Sequence, residues 1–317
     1  MAGGGPQKLL FFGTPEFAVP SLAALVASRH PVVGVVSQPD RPRGRGRSLE
    51  PTPVGACALG HGLPLLQPEE VGSAEALDWL RALGAELGVV VAFGQFIPKS
   101  VRELPTHGLI NGHASLLPRW RGAAPIAHAI LAGDPRTGIS VMRVVREMDA
   151  GDVCLTRELE IGADETAGEL AERLAALAAE ALVAAVESIA CGTARFEPQR
   201  GADATLAPKL AKDFGKLDWS RPRDELLRRI RAATPWPGVD LTLRHSGRRL
   251  RVLAVRAAEG PPGPARRVDV SGGRLRISAL DGWLDVSRLQ APGKRPVDAA
   301  EFLRGARVPP DEEILKP

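Results

Sequence analysis

Leu87-Gly88-Val89-Val90-Val91-Ala92-Phe93 is a continuous apolar run of strand length, bounded by polar and glycine-containing sequence. It lacks the apolar/polar alternation of a strand with one wet face. A strand without that alternation is buried on both faces, which points to a parallel sheet covered on both sides by helices. The flanking sequence agrees. Residues 8–12, 31–37, 109–112 and 139–145 read as further strands, the second rich in valine. Helical spacing predicts helices over 17–28, 53–59, 73–83 and 124–131. Thr52 is placed to cap the second of these, with Pro53 in its first turn. Strands alternating with helices predict an α/β fold with a mostly parallel sheet. Thr166-Ala167-Gly168-Glu169 is a capping box that opens a long Ala/Leu/Glu helix to about residue 190.

Beyond that helix the pattern changes. Residues 191–207 have no periodicity and are expected to link a first domain over 1–190 to a second over 208–317. A chain of 317 residues has the length of about two domains. The second region opens with a basic helix over 224–233. Short alternating runs follow at 240–244, 249–256, 266–270, 274–278 and 283–289, with turn pairs such as Ser246-Gly247 and Gly272-Gly273 between them. Five short strands with hairpin turns predict a small OB-like β-barrel. The charge divides at the same place. Residues 1–207 carry 18 Lys+Arg against 23 Asp+Glu, whereas 208–317 carry 23 against 14. A basic module beside an acidic one predicts a polyanionic partner for the second, or else an Arg-rich surface that serves only solubility. The three cysteines, Cys57, Cys154 and Cys191, have neither a zinc spacing nor a disulfide framework. No apolar run reaches the ~18 residues needed to span a membrane, and residues 1–7 do not read as a signal peptide. A cytoplasmic, monomeric chain without membrane partner or metal is the expectation.

The chemistry gathers at Asn111-Gly112-His113-Ala114-Ser115-Leu116-Leu117-Pro118. Asn111 and His113 are two apart, so on an extended segment they face the same way. They stand at the carboxyl end of a strand, where open α/β sheets bind ligands. Asp149 follows the strand at 139–145, and all three groups are expected to converge on one crevice. The imidazole of His113 can take up the proton lost by an attacking amine. The Asn111 amide can donate to a developing oxyanion. Asp149 can orient His113 or relay a proton through water. No Ser or Cys sits in a nucleophile elbow. By their own chemistry these residues support an amine-directed acyl transfer, without naming the acyl group.

The stretch from Asn111 to Pro118, continued by Arg119-Trp120-Arg121-Gly122-Ala123-Ala124-Pro125, resembles the signature loop of the folate-dependent formyltransferases, most closely the branch acting on methionyl-tRNA. The resemblance covers nearly the whole chain. It takes in Phe12-Gly13-Thr14-Pro15-Glu16-Phe17, Gln38-Pro39-Asp40-Arg41-Pro42, Ala92-Phe93-Gly94 with Ile97-Pro98, Leu217-Asp218-Trp219-Ser220 and Pro235-Trp236-Pro237. It implies a Rossmann-like formyltransferase domain with a C-terminal barrel, 10-formyltetrahydrofolate as donor and initiator methionyl-tRNA as acceptor. It also implies that Asn111, His113 and Asp149 are the catalytic trio. Phe93, Gly94, Ile97 and Pro98 then line the pteridine pocket, and Ser115, Leu116, Leu117 and Pro118 form the folate-contacting turn. Phe93 and Ile97 suit a core equally well.

The resemblance further implies that the acid-free loop with Arg41, Arg43, Arg45 and Arg47 enters the acceptor end of tRNA, and Lys209 and Lys212 fall where the phosphate backbone would pass. Arg228, Arg229 and Arg231 are further candidate contacts. The chain departs from the family at Glu147, at Ala150 beside Asp149, at Arg143, and at Phe93 and Leu206 where tyrosine is usual. Rival readings are a formyltransferase acting on an amino sugar or glycinamide ribonucleotide, a formyltetrahydrofolate hydrolase, and a nucleic-acid-binding protein without catalysis.

Overall fold

The computed structural model describes residues 4–43, 48–260, 263–309 and 312–315; Arg43 and Ser48 are described by backbone alone. In chain order the first elements are β1 (Leu9–Gly13), α1 (Val19–Val26), β2 (Val32–Val36), β3 (Arg41–Arg43), β4 (Ser48–Glu50), α2 (Pro53–Gly60), β5 (Leu65–Leu66), α3 (Ala74–Ala82), β6 (Leu87–Val91), α4 (Lys99–Arg102) and β7 (Leu109–His113). There follow α5 (Pro125–Ala132), β8 (Arg136–Arg143), β9 (Val153–Glu160), α6 (Ala167–Ala190) and α7 (Arg223–Ala233). The last are β10 (Val239–Thr242), β11 (Arg249–Ala258), β12 (Val268–Asp269), β13 (Leu275–Ser278), β14 (Trp283–Gln290), β15 (Val297–Asp298) and α8 (Ala299–Gly305).

These elements fall into two compact units. The first draws on Met1–Gly122, Thr137–Leu159 and Ala171–Ala207. It is built on a seven-stranded sheet of order β5-β2-β1-β6-β7-β8-β9. The pairs β5–β2, β2–β1, β1–β6 and β6–β7 are parallel, and β7–β8 is antiparallel. This is the mostly parallel, Rossmann-like arrangement predicted. Every residue of β1 and of β6 is buried, as expected of strands covered on both faces. Each large apolar side chain so buried contributes roughly 1.5–3 kcal/mol. The order reverses between β1 and β6, which makes the carboxyl ends of these strands a topological switch point where ligands bind.

Local signals set several ends. Thr52 Oγ1 accepts the Gly55 N–H at 3.0 Å and caps α2, while pairing with Ser37 Oγ at 2.7 Å just past β2. The helix predicted over 17–28 is instead a 3-10 turn, Glu16–Ala18, followed by α1, with a proline in the first turn of α1. Thr166 and Glu169 make the reciprocal capping box, N–H to carboxylate at 2.9 Å and N–H to hydroxyl at 3.3 Å.

The start of β2 and the end of α6 are tied through Glu187. Its carboxylate accepts from Arg29 Nε and Nη2 at 2.8 and 2.6 Å and from the buried His30 Nε2 at 2.9 Å. Arg29 first, then His30, hold this carboxyl down at about 2. A depressed carboxyl stabilises the fold fully above its unfolded value, about 4.3. That stability is lost as pH falls through the folded value. Glu187→Gln is therefore expected to flatten the loss of melting temperature between about pH 5 and 2. Thermal melts across that window check this, and an unchanged acid limb would refute it.

The second unit draws on Ala123–Arg136, Glu160–Leu170 and Pro208–Pro317. Its six-stranded sheet runs β10-β11-β14-β13-β12, with β15 on β14. All of these pairings are antiparallel. In β11 the buried positions shift phase, from Leu250 and Val252 to Val255, and the register with β14 shifts on both sides of Ala254. Such a bulge bends a strand and strengthens its twist, and the sheet curls into a half-barrel, consistent with the OB-like barrel predicted. Trp219, of the Leu-Asp-Trp-Ser motif, lies in the core, whereas Trp236 is half exposed. Among the described residues no helix is long and apolar enough to cross a membrane.

Candidate active site

The carboxyl ends of β2, β6 and β7 lie along one edge of the parallel sheet, and their loops carry most of the residues singled out above. The loops are stitched together at their bases. Phe93 O accepts from Thr14 Oγ1 at 2.9 Å and from Gln38 Nε2 at 3.0 Å. Asp40 Oδ1 accepts from Thr52 N at 3.0 Å and Gln67 Nε2 at 2.7 Å, which pins the base of the arginine loop. That loop is a hairpin in which β3 pairs antiparallel with β4. Arg41 is exposed and bonds Glu69 at 3.2 Å. Arg45 and Arg47 lie outside the described residues, as does the Arg43 side chain.

Asn111 and His113 both stand on β7. Asn111 is half-buried, and its side-chain amide makes no hydrogen bond among the described residues. His113 is buried, and its Nε2 lies 2.9 Å from Trp120 O. A carbonyl only accepts, so Nε2 carries the proton and the lone pair of the neutral ring is on Nδ1. Nδ1 faces Asp149 Oδ2 across 3.6 Å, beyond direct hydrogen-bond distance. Asp149 Oδ2 is fixed by the Gly122 N–H at 2.8 Å.

The route that brings Asp149 there differs from the expected one. β8 is antiparallel to β7, with Ile110 opposite Arg143, so the loop after β8 leaves from the opposite sheet edge. Asp149 reaches His113 because the loop folds back. Gly151 permits this, since a Cβ there would lie 2.0 Å from Arg143 O. Asp149 itself is left-handed at φ 52°. Trp120 is left-handed too, at φ 64°, a conformation costing a bulky residue about 1–3 kcal/mol. It is held on both sides, by His113 at its carbonyl and by Thr205 Oγ1, which accepts its N–H at 2.9 Å. Gly122 has φ 123°, and a Cβ there would meet Ala207 O at 2.7 Å.

Residues 199–207, read from sequence as featureless, pack along this turn. Ala207 N donates to Arg121 O at 2.7 Å, and Arg121 N to Thr205 O at 2.8 Å. Gln199 bonds both Arg121 and the Asp149 loop. Sequence reasoning missed Gln199 and Thr205 because a segment organised by hydrogen bonds to a loop shows no apolar period.

The turn after His113 is internally bonded. Ser115 is fully buried and donates its hydroxyl to Arg119 O at 2.6 Å, while Ser140 Oγ bridges Ser115 O and Leu117 N at 2.8 and 3.0 Å. Leu116, Leu117 and Pro118 remain half-exposed. In the β6 loop, Phe93 and Ile97 are core residues, and Phe93 stacks edge-on against Phe12 at 5.6 Å. Gly94 is exposed, Pro98 half-exposed, and Phe96, which the sequence reading passed over, is 71% exposed. Burial pushes the Cys154 thiol up to about 11, away from the thiolate form that attacks.

In the second unit Lys209 and Lys212 are exposed. Arg229 and Arg231 are engaged within the unit. Arg229 donates to Phe214 O at 3.0 Å and lies over its ring, and Arg231 donates to the carbonyls of Gly162 and Ala163. Among the described residues no group of three or more His, Cys, Asp or Glu is placed to hold a metal ion.

Comparison with known proteins gives a consistent result. Residues 7–186 match the formyl transferase family model, and residues 209–307 match that of the formyl transferase C-terminal domain. The methionyl-tRNA formyltransferase of Pseudomonas paraeruginosa is 45% identical over 301 residues, 95% of this chain and 96% of that protein. That of Xanthomonas axonopodis pv. citri is 46% identical over 306 residues, covering 95% and 98%. The crystal structure of WlaRD, a sugar 3N-formyl transferase in the presence of dTDP and 5-N-formyl-THF, superposes with a TM-score of 0.65 at 16% identity, covering 92% of this chain and all of that one, which speaks to the fold alone. With both family models matched in order and relatives this similar along nearly its whole length, the chain belongs to the formyl transferase family.

Proposed function

We propose that the chain transfers the formyl group of 10-formyltetrahydrofolate to the α-amino group of methionyl-tRNA, giving N-formylmethionyl-tRNA for translation initiation. The observation that carries this reading is the likeness to methionyl-tRNA formyltransferases, which extends across both units rather than the first alone. In support, the loop after β6 exposes Ala92, Gly94 and the apolar Phe96, with Pro98 half-exposed, a surface suited to a flat heteroaromatic ligand. The folate supplies a formyl group on a nitrogen able to leave as an amine. Asn111 donates a hydrogen bond to the formyl oxygen as it gains charge. His113 Nδ1 takes the proton shed by the attacking amine and returns it to the departing nitrogen. Asp149, across 3.6 Å, stabilises the imidazolium that forms meanwhile. Because the Ser115 hydroxyl is engaged at Arg119 O, folate contact at this turn falls to its backbone and to Leu116, Leu117 and Pro118. The tRNA contacts are assigned to Arg41, Arg43, Arg45, Arg47, Lys209 and Lys212, and the enzyme is taken to act as a cytoplasmic monomer.

The decisive experiment gives the protein a formyl-labelled donor with methionyl-tRNA, or with glycinamide ribonucleotide or an amino sugar. Label is expected in the aminoacyl group of the tRNA and in neither small amine. Label appearing only as formate, or only in a small amine, would overturn the reading.

Electrostatic binding releases counterions, so tRNA affinity should fall as salt rises. Removing one phosphate contact reduces the slope of log affinity against log salt by about 1. Lys209→Ala and Lys212→Ala are each expected to show that reduction in binding titrations, and an unchanged slope would remove that lysine from the contact surface.

A further inference from the structure

We propose that Gln199 is a positioning residue for the reaction, a clasp that fixes where the Asp149 carboxylate stands. This rests on the reading that Asp149 acts in formyl transfer. Gln199 lies in a segment without regular structure, and its amide is used completely. Nε2 donates to Asp149 O at 2.9 Å and to Gly151 O at 2.7 Å. Oε1 accepts from Arg121 Nε at 3.0 Å and from Arg121 Nη2 at 2.7 Å. Two donors and two acceptor sites are what a carboxamide has, and all four are matched.

The clasp grips Asp149 from two sides through one segment. Its main-chain carbonyl is held by Gln199. Its carboxylate is held by the N–H of Gly122, the residue after Arg121. Arg121 therefore links both grips. The Asp149 backbone at φ 52° is one that a non-glycine residue adopts only when its surroundings enforce it. No other side chain of this reach meets both demands. A carboxylate in place of the amide would keep Arg121 but face two carbonyl oxygens with negative charge. Lysine or arginine would satisfy the carbonyls but repel Arg121, and an apolar side chain would leave all four partners unpaired.

Gln199→Glu is the sharpest test because it keeps size and the Arg121 pairing while removing the donors. Gln199→Ala accompanies it. Misplacing a reacting group by about an ångström costs up to about 100-fold in rate. Both variants are expected to lower kcat by about 10- to 100-fold. KM for both substrates should stay within about twofold, the pattern of an interaction lost only in the reaction step. Melting curves taken beside the kinetics separate this from a structural role. If kcat per folded molecule stays normal in Gln199→Glu while the melting temperature drops, the clasp is structural only and the inference fails.

A cycle with Asp149→Ala shows through which group Gln199 acts. Gln199→Glu should cost nothing further once Asp149 is gone, and an equal loss in that background would overturn the inference. If Asp149→Ala is nearly inactive while Gln199→Glu is normal, the inference alone falls. If Asp149→Ala retains normal kcat, the reading of Asp149 falls and takes the inference with it.

Discussion

His113→Ala is expected to lower kcat for formyl transfer by roughly 100- to 10,000-fold, the range supplied by a well-placed general acid–base. The expectation rests on the tautomer. The Trp120 carbonyl can only accept, so the Nε2 proton is fixed and the basic lone pair is left on Nδ1, opposite Asp149 at 3.6 Å. A ring held in this way cannot turn to offer its other nitrogen without losing its bond to Trp120. His113→Gln sharpens the test, since an amide can still bond the Trp120 carbonyl but cannot carry a proton between amine and leaving group. Steady-state kinetics on folded protein decide the matter. Both variants should be strongly impaired with substrate binding largely preserved, and near-normal turnover in either would remove His113 from the chemistry.

Asn111→Ala is expected to reduce kcat by about 100- to 1,000-fold, the loss typical of a single oxyanion donor. Its amide is half-buried on the same strand as His113, two residues away, and free of protein partners among the described residues. An amide without a structural duty can be removed without unfolding the strand that carries it. Asn111→Asp is nearly isosteric and replaces the donor by an acceptor that is negative at neutral pH. It should be at least as impaired as Asn111→Ala, because it faces the developing oxyanion with like charge. If Asn111→Asp were faster than Asn111→Ala, the amide would not be donating to that oxygen.

Much of the fold was legible because its signals are apolar periods and caps. The uninterrupted run at 87–93, the Thr52 cap and the Thr166–Glu169 box each correspond to an element in the structure. β9 escaped because all of its residues are exposed or half-exposed and its second half is charged, so no buried face marks it. The β3–β4 hairpin escaped because arginine and proline obscure a strand held by its partner rather than by burial. For the site, the position of Asn111 and His113 on one strand followed from local spacing. The path of Asp149 did not, because it depends on β8 pairing antiparallel to β7, and nothing within 139–145 specifies strand direction. Phe93 and Ile97 illustrate a different limit. Apolar residues beside a ligand-binding loop are indistinguishable in sequence from core, and core is where their side chains lie.

The hydrogen bonds of Thr205 and Ala207 to the turn at 120–121 bear on how the enzyme comes into being. Synthesis is vectorial, and domains generally fold as their residues leave the ribosome. The strand that carries Asn111 and His113 emerges early, and Asp149 soon after. The turn that fixes the His113 ring stays unclamped until some eighty-five further residues have been added, counting from Trp120 to Thr205. A nascent chain therefore holds all of its proposed catalytic groups well before it holds them in working order.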